Sequence, residues 1–199
     1  MEDSDRDKYL FLSLLQARVG SSLVSRFGNL APEAVLATPI AELAELTKIS
    51  EKASRAFGEL QQSFDPDVME NRLTEKGIEV VTLADEGYPR PLRSIPDPPP
   101  ALFVDGKVSE TVSVALVGSR KASATGIDTA RALGQALSEQ GVCVVSGLAL
   151  GVDAAAHEGA VRAGGPTVGV LGCGIDVTYP TVYKQARPGV SRRARQRWR

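Results

Sequence analysis

From residue 112 onward the chain alternates between two rhythms, and this alternation constrains the fold more than any other feature. An apolar run at 112–117 breaks at Gly118, and a helical stretch at 126–140 ends at Gly141. A second run at 142–145 breaks at Ser146-Gly147, and a second helical stretch at 153–163 ends at Gly164-Gly165. A third run, 167–171, breaks at Gly172-Cys173-Gly174. Continuous apolar strands separated by amphipathic helices predict a parallel sheet covered on both faces. Right-handed crossovers then carry all three glycine turns to the carboxyl edge of that sheet.

The turns read GSRK at 118–121, SGLALG at 146–151 and GCG at 172–174. Glycine lets a ligand approach the backbone, and helix N-termini present free N–H groups and positive potential, so the edge suits an anion. Its identity stays open at this level. A dinucleotide fingerprint, GxGxxG, fails because no glycine follows Gly118 until Gly126. A Walker A loop is absent too. Asp153 and His157 stand four apart on one helical face and read as a helix-start and packing pair rather than a catalytic one. The chain has two cysteines, Cys143 and Cys173, both in apolar surroundings, and a single histidine. These read as buried thiols, and no zinc site is expected.

Charge is unevenly spread. The formal net charge is -1, but from Lys184 onward there are one Lys and six Arg with no acid. That leaves 16 cations against 24 acids over residues 1–183, a net of -8. An anion site in the body of the chain must therefore be a local patch and not a global field. With 43% hydrophobic residues, no apolar run long enough to span a bilayer and an acidic N-terminus, the expectation is a cytoplasmic protein without membrane contact.

Residues 8 to about 64 read as short helices. Tyr9, Leu10, Leu12, Leu14 and Leu15 form a first apolar face, Leu23, Val24 and Phe27 a second, and Ser50 is a plausible N-cap. The turns ARVGSS and TKIS between helices resemble the helix-hairpin-helix or SAM-like class. A hairpin that binds DNA phosphates usually presents glycines, yet the first keeps only Gly20 and the second none. A packing or protein-contact module is the plainer reading. A proline-dense segment, 85–106, is expected to be extended, with Leu92, Ile95, Leu102 and Phe103 anchoring it on a core.

Four stretches together resemble the DprA (Smf) family of bacterial DNA-processing proteins: GIEVVTLADEGYPRPLRSIPDPPPALFVDG, VALVGSRKASATG, VVSGLALGVDAAAH and TVGVLGCGIDVTYP. They fall in order from Gly77 to Pro180. The resemblance implies an α/β fold with an incomplete Rossmann-like parallel sheet and an N-terminal all-α SAM-like module. Domains are expected at 1–64 (helical), 65–183 (Rossmann-like) and 184–199 (a disordered basic tail). It further implies binding of single-stranded DNA without base specificity, help in loading RecA during natural transformation, and pairing as a homodimer. No cofactor or catalytic reaction is implied. By direct match, Gly118, Ser119 and Arg120 would line the DNA groove, with Arg120 on a backbone phosphate and Lys121 as a helper. Ser146, Gly147, Gly151, Gly172 and Gly174 would shape the pocket floor.

After DVTYP the recognisable motifs give way to TVYKQARPGVSRRARQRWR. A basic arm for nucleic acid is one reading. A shifted frame or truncated gene is the preferred one. A parallel sheet stopped after about three strands would leave apolar edges uncovered, so poor stability and impaired DNA binding and dimerisation are expected. Two other functions remain open. One is a nucleotide phosphoribohydrolase-like enzyme, although its PGGxGT-type loop is missing. The other makes the helical module a protein-interaction adaptor.

Overall fold

The computed structural model describes residues 2–20, 24–108, 111–175 and 195–197. It divides into two compact units. The first takes Met1–Lys76 and Val80–Leu102, the second Gly77–Glu79 and Phe103–Trp198.

The first unit is built on helices α1 (Glu2–Val19), α2 (Val24–Phe27), α3 (Pro32–Leu36), α4 (Ile40–Thr47), α5 (Glu51–Ser63) and α6 (Pro66–Glu75). The expected apolar face of α1 is the core: Leu10, Phe11, Leu12 and Leu15 are fully buried, while Tyr9 and Leu14 are half-buried. Phe11 meets Phe57 edge-on at 4.9 Å and Phe64 at 5.2 Å, and Phe27 stacks on Phe57 at 5.6 Å. Ser50 caps α5 by accepting from the Ala53 N–H at 3.2 Å. Asp65 caps α6 through the Val68 N–H, and Pro66 occupies a first-turn position where no donor is missed. Lys8 is buried, and its ammonium donates to Asp5 Oδ1 and to the carbonyls of Gly28 and Leu30. Lys48 adopts a left-handed conformation (φ 49) at the α4–α5 hairpin, where Arg26 donates to the carbonyls of Thr47 and Lys48.

This unit reaches well past residue 64. Arg6 of α1 donates to Glu70 Oε1 at 2.9 Å, Asp85 Oδ2 at 2.6 Å and the Val80 carbonyl at 2.9 Å. One guanidinium therefore ties α1 to α6, to strand β1 (Ile78–Thr82) and to the turn after it. The proline-dense segment also differs from expectation. It is not extended throughout, because Arg90–Arg93 forms a helical turn, α7, with Pro89 as N-cap and Pro91 in the first turn. Its anchor is Tyr88, whose buried hydroxyl donates to the Pro99 carbonyl at 2.8 Å and whose ring lies beneath Arg93. Ile95 is not an anchor: it is 40% exposed. Leu102 and Phe103 are buried in β2 (Ala101–Asp105), a strand the proline-rich approach conceals.

In the second unit the strand order is β2-β6-β5-β4-β3. β3 (Ser113–Ala115), β4 (Cys143–Ser146) and β5 (Thr167–Leu171) are parallel, with Val114 opposite Val144 and Val145 opposite Val168. The helices α8 (Ala124–Glu139) and α9 (Val152–Arg162) follow β3 and β4 as the alternation predicts. Both crossovers step in the same direction along the sheet, so their common hand puts both helices on one face, not two. Their close crossing agrees. A Cβ on Gly134 would collide with the Ala156 carbonyl, and one on Gly159 with the carbonyl of Arg131. Val144 packs with Ala156, Ala160, Leu116 and Leu137 on that side. Cys143 and Val168, with Val145 and Val170, form the cluster on the other side.

The edge strand β3 is exposed along its length, and Val112 and Val117 beside it are 74% and 71% exposed. Of the basic tail, expected to be disordered, the described residues form a strand instead. β6 (Arg195–Arg197) pairs parallel to β5 and antiparallel to β2, which makes this sheet mixed. Backbone donors and acceptors along β5 and β2 find partners there, and such pairing asks nothing of the side chains. The remainder of the tail lies outside the described residues. No described helix is long and apolar enough to cross a membrane.

Candidate functional site

The parallel ladder fixes the site. Because β3, β4 and β5 run the same way, the turns that leave them share one edge. The first two turns are bonded together. Ser119 is the bracket: its carbonyl accepts from the Val152 N–H at 3.2 Å, and its Oγ accepts from the Lys121 N–H at 3.1 Å. Asp153, 7% exposed, reaches out of the first turn of α9 to both turns. Its Oδ2 accepts from the Gly147 N–H at 3.1 Å and its Oδ1 from the Gly118 N–H at 3.4 Å.

Glycine is required at 151. Its φ is 85, and a Cβ would collide with the Ser119 carbonyl. The turns therefore touch backbone to backbone, and the backbone of Arg120 is part of the contact. Gly147 and Gly118 are equally tight, since a Cβ at 147 would lie 2.7 Å from Asp153 Oδ2 and one at 118 would lie 2.8 Å from a Val152 methyl. Leu148, directly after Gly147, holds a left-handed conformation (φ 55) without being glycine. Such strain persists only where surrounding bonds over-determine the backbone.

Gly118, Ser119, Arg120 and Lys121 are all exposed. Two other cations of this unit are engaged: Arg131 pairs with Asp128 and Glu158, and Arg162 pairs with Glu158. Among the described residues neither Arg120 nor Lys121 has an ion pair or side-chain hydrogen bond. The other candidates contribute differently. Ser146 is buried and donates to the Leu116 carbonyl at 2.6 Å, a tie between β4 and β3. Gly172 is exposed with nothing within 4 Å of an added Cβ, so no close approach demands glycine there. Gly174 is half-buried on the same turn.

The arrangement revises the chemistry expected of the edge. Helix N-termini and glycine turns suggest a cradle of free N–H groups, but many of these donors are spoken for. Gly118 and Gly147 bond Asp153, Val152 bonds Ser119, Lys121 bonds Ser119 Oγ, and Gly126 bonds Ser123 Oγ. The exposed positive charge of these turns is carried by the side chains of Arg120 and Lys121. Asp153 is the residue whose part sequence reasoning missed. The available signal was an acid opening the helix directly after a glycine turn. Among the described residues no three His, Cys, Asp or Glu side chains cluster as metal ligands.

Residues 79–194 match the family model described as DNA recombination-mediator protein A. Protein Smf of Synechocystis is 33% identical over 194 residues, covering 93% of this chain and 48% of that protein. DNA processing protein DprA of Bacillus subtilis is 31% identical over 164 residues, covering 80% of this chain and 54% of that one. The solved structure of DNA processing protein A from Streptococcus pneumoniae superposes with a TM-score of 0.70 at 28% identity, over 95% of this chain and 65% of that one. DNA processing protein A from Helicobacter pylori, studied for its single-stranded DNA binding mode, superposes with a TM-score of 0.50 at 27% identity, over 60% and 55%. The chain spans about half the length of the curated relatives it matches.

Proposed function

Since this chain belongs to the DNA recombination-mediator protein A family, we propose that it binds single-stranded DNA along the carboxyl edge of its parallel strands, with Arg120 on a backbone phosphate. The observation that carries this reading is the pair of exposed, unengaged cations on a turn that Ser119 and Asp153 hold from beneath. A guanidinium on a fixed turn can meet a phosphate through two parallel N–H bonds, and Lys121 adds a second charge beside it. Neither contact reads a base, so binding is indifferent to sequence. The exposed valines at 112, 114 and 117 lie along the strand leading to that turn and supply apolar surface but no aromatic platform. The family's name as a recombination mediator supports delivery of the bound strand to a RecA-type recombinase as the downstream role.

The test is Arg120→Ala in the full chain, titrated with oligonucleotides of different sequence by fluorescence anisotropy. Losing one exposed phosphate contact costs about 1 kcal/mol, roughly fivefold in affinity. The loss should be equal for all sequences, and the slope of log affinity against log salt should fall by about 0.7. Unchanged affinity and slope would remove Arg120 from the interface.

A further inference from the structure

Asp153 has a feature that a helix-start acid does not need. The N-cap of α9 is Gly151, and the carboxylate turns away from its own helix toward two foreign backbone donors. Each oxygen takes one N–H, from Gly118 at the end of β3 and from Gly147 at the end of β4. At Gly147 the missing side chain makes room for this contact, since an added Cβ would stand 2.7 Å from Oδ2; at Gly118 it makes room for Val152, the residue before Asp153. The carboxyl edge of parallel strands, at glycine turns opening into helices, is where folds of this architecture seat a nucleotide's phosphate. Here that position holds a buried carboxylate covalently part of the chain.

We propose that Asp153 is a specificity-determining residue that stands in for a phosphate. Its carboxylate satisfies the donors of Gly118 and Gly147, repels a free phosphate or pyrophosphate group from the glycine turns, and leaves strand phosphates to the side chains of Arg120 and Lys121. A small ligand must enter the cradle to be held, and meets a like charge there. A strand can lie across the exposed cations outside it without entering. The preference for a strand over a free nucleotide thus comes from an occupied cradle and not from the shape of a groove. This deepens the proposed function and rests on it for the DNA half of the selectivity, while the exclusion of pyrophosphate stands independently.

The experiment compares full-length wild type with Asp153→Asn and Asp153→Ser. Each is checked by a thermal melt, then titrated with inorganic pyrophosphate by calorimetry and with a dT oligonucleotide by anisotropy. Asn keeps the shape but loses the charge and one acceptor, and Ser vacates the space. The expected result is no saturable pyrophosphate binding by wild type and binding by at least one folded variant. The ratio of pyrophosphate to oligonucleotide affinity should rise about tenfold or more. A ratio unchanged in folded variants overturns the proposal. Failure of both variants to melt cooperatively also overturns it, by making the carboxylate a folding tie and nothing more. If wild type binds no oligonucleotide, the DNA reading falls, and the pyrophosphate titration alone still decides the role of Asp153.

Discussion

His157 lies one helical turn beyond Asp153 and is buried to 2% exposure. Its Nδ1 stands 2.7 Å from Thr167 Oγ1, and that hydroxyl donates to the Val144 carbonyl at 2.8 Å. With the threonine proton committed to Val144, Nδ1 carries a proton and donates to Thr167, which fixes the neutral tautomer. Burial pushes the imidazole down from 6.5 to about 4, against the opposing pull of the Asp153 charge and the Ser146 backbone. The sign follows directly. Between pH 6.5 and 4 the unfolded chain binds the proton and the folded chain does not, so stability falls as pH drops through that window and is fully present above it. The loss approaches roughly 3 kcal/mol at the acid end. Chemical denaturation at several pH values should show wild type losing stability relative to His157→Phe as pH falls toward 4, with a constant offset between the two above pH 7. The sequence marked Asp153 and His157 as a packing pair, and for His157 that is what burial gives. It could not mark the Asp153 contacts, because Gly118 and Gly147 come near it only once the ladder has formed. Ile95 shows the converse: a large apolar residue in a proline-rich run looked like an anchor, and Tyr88 does that work through a hydroxyl bond to Pro99.

At the scale of elements, α8 and α9 are paired through missing side chains. Gly134 faces the backbone of Ala156, and Gly159 faces the backbone of Arg131 and Gln135. Gly159→Ala must push the helices apart, and overpacking of this kind costs about 3 kcal/mol. Gly172→Ala, where an added Cβ meets nothing within 4 Å, should stay within about 0.5 kcal/mol of wild type. Urea melts of the two variants make the comparison. The alternation of β3, α8, β4, α9 and β5 was legible because each element carries its own period and each stop is a glycine. The one-sided placement of the helices follows from strand order, which periodicity does not encode. β2 and α7 were hidden by prolines, whose first-turn positions in a helix look the same in sequence as an extended run. β6 had no signal at all, since alternating Arg and Gln lacks an apolar face.

Across the whole molecule the compact units do not follow the change in composition at residue 64. Arg6 binds Glu70, Val80 and Asp85, all of which a fragment ending at 64 would lack. Three charge-assisted bonds on a half-exposed guanidinium contribute about 1–3 kcal/mol in sum. A fragment 1–64 should therefore melt below a fragment 1–106 and lose helix signal first in α1, measured by circular dichroism and amide exchange. At the same scale, the role proposed for Arg120 and Lys121 is compatible with the net of -8 carried by residues 1–183. A local pair on a fixed turn acts within a Debye length of about 8 Å and is indifferent to charge spread farther off.

One further consequence comes from the Ser119 carbonyl, on which the first amide of α9 hangs. Under the proposed function, a strand seated on Arg120 would load the residue directly before it, and that load would enter α9 through the Val152 N–H and the Asp153 carboxylate together. At the glycine crossing, where backbone meets backbone, α9 would bear directly on α8. The edge would then act less like a surface than like the end of a lever, with its fulcrum in the helix crossing and its tip at residue 120.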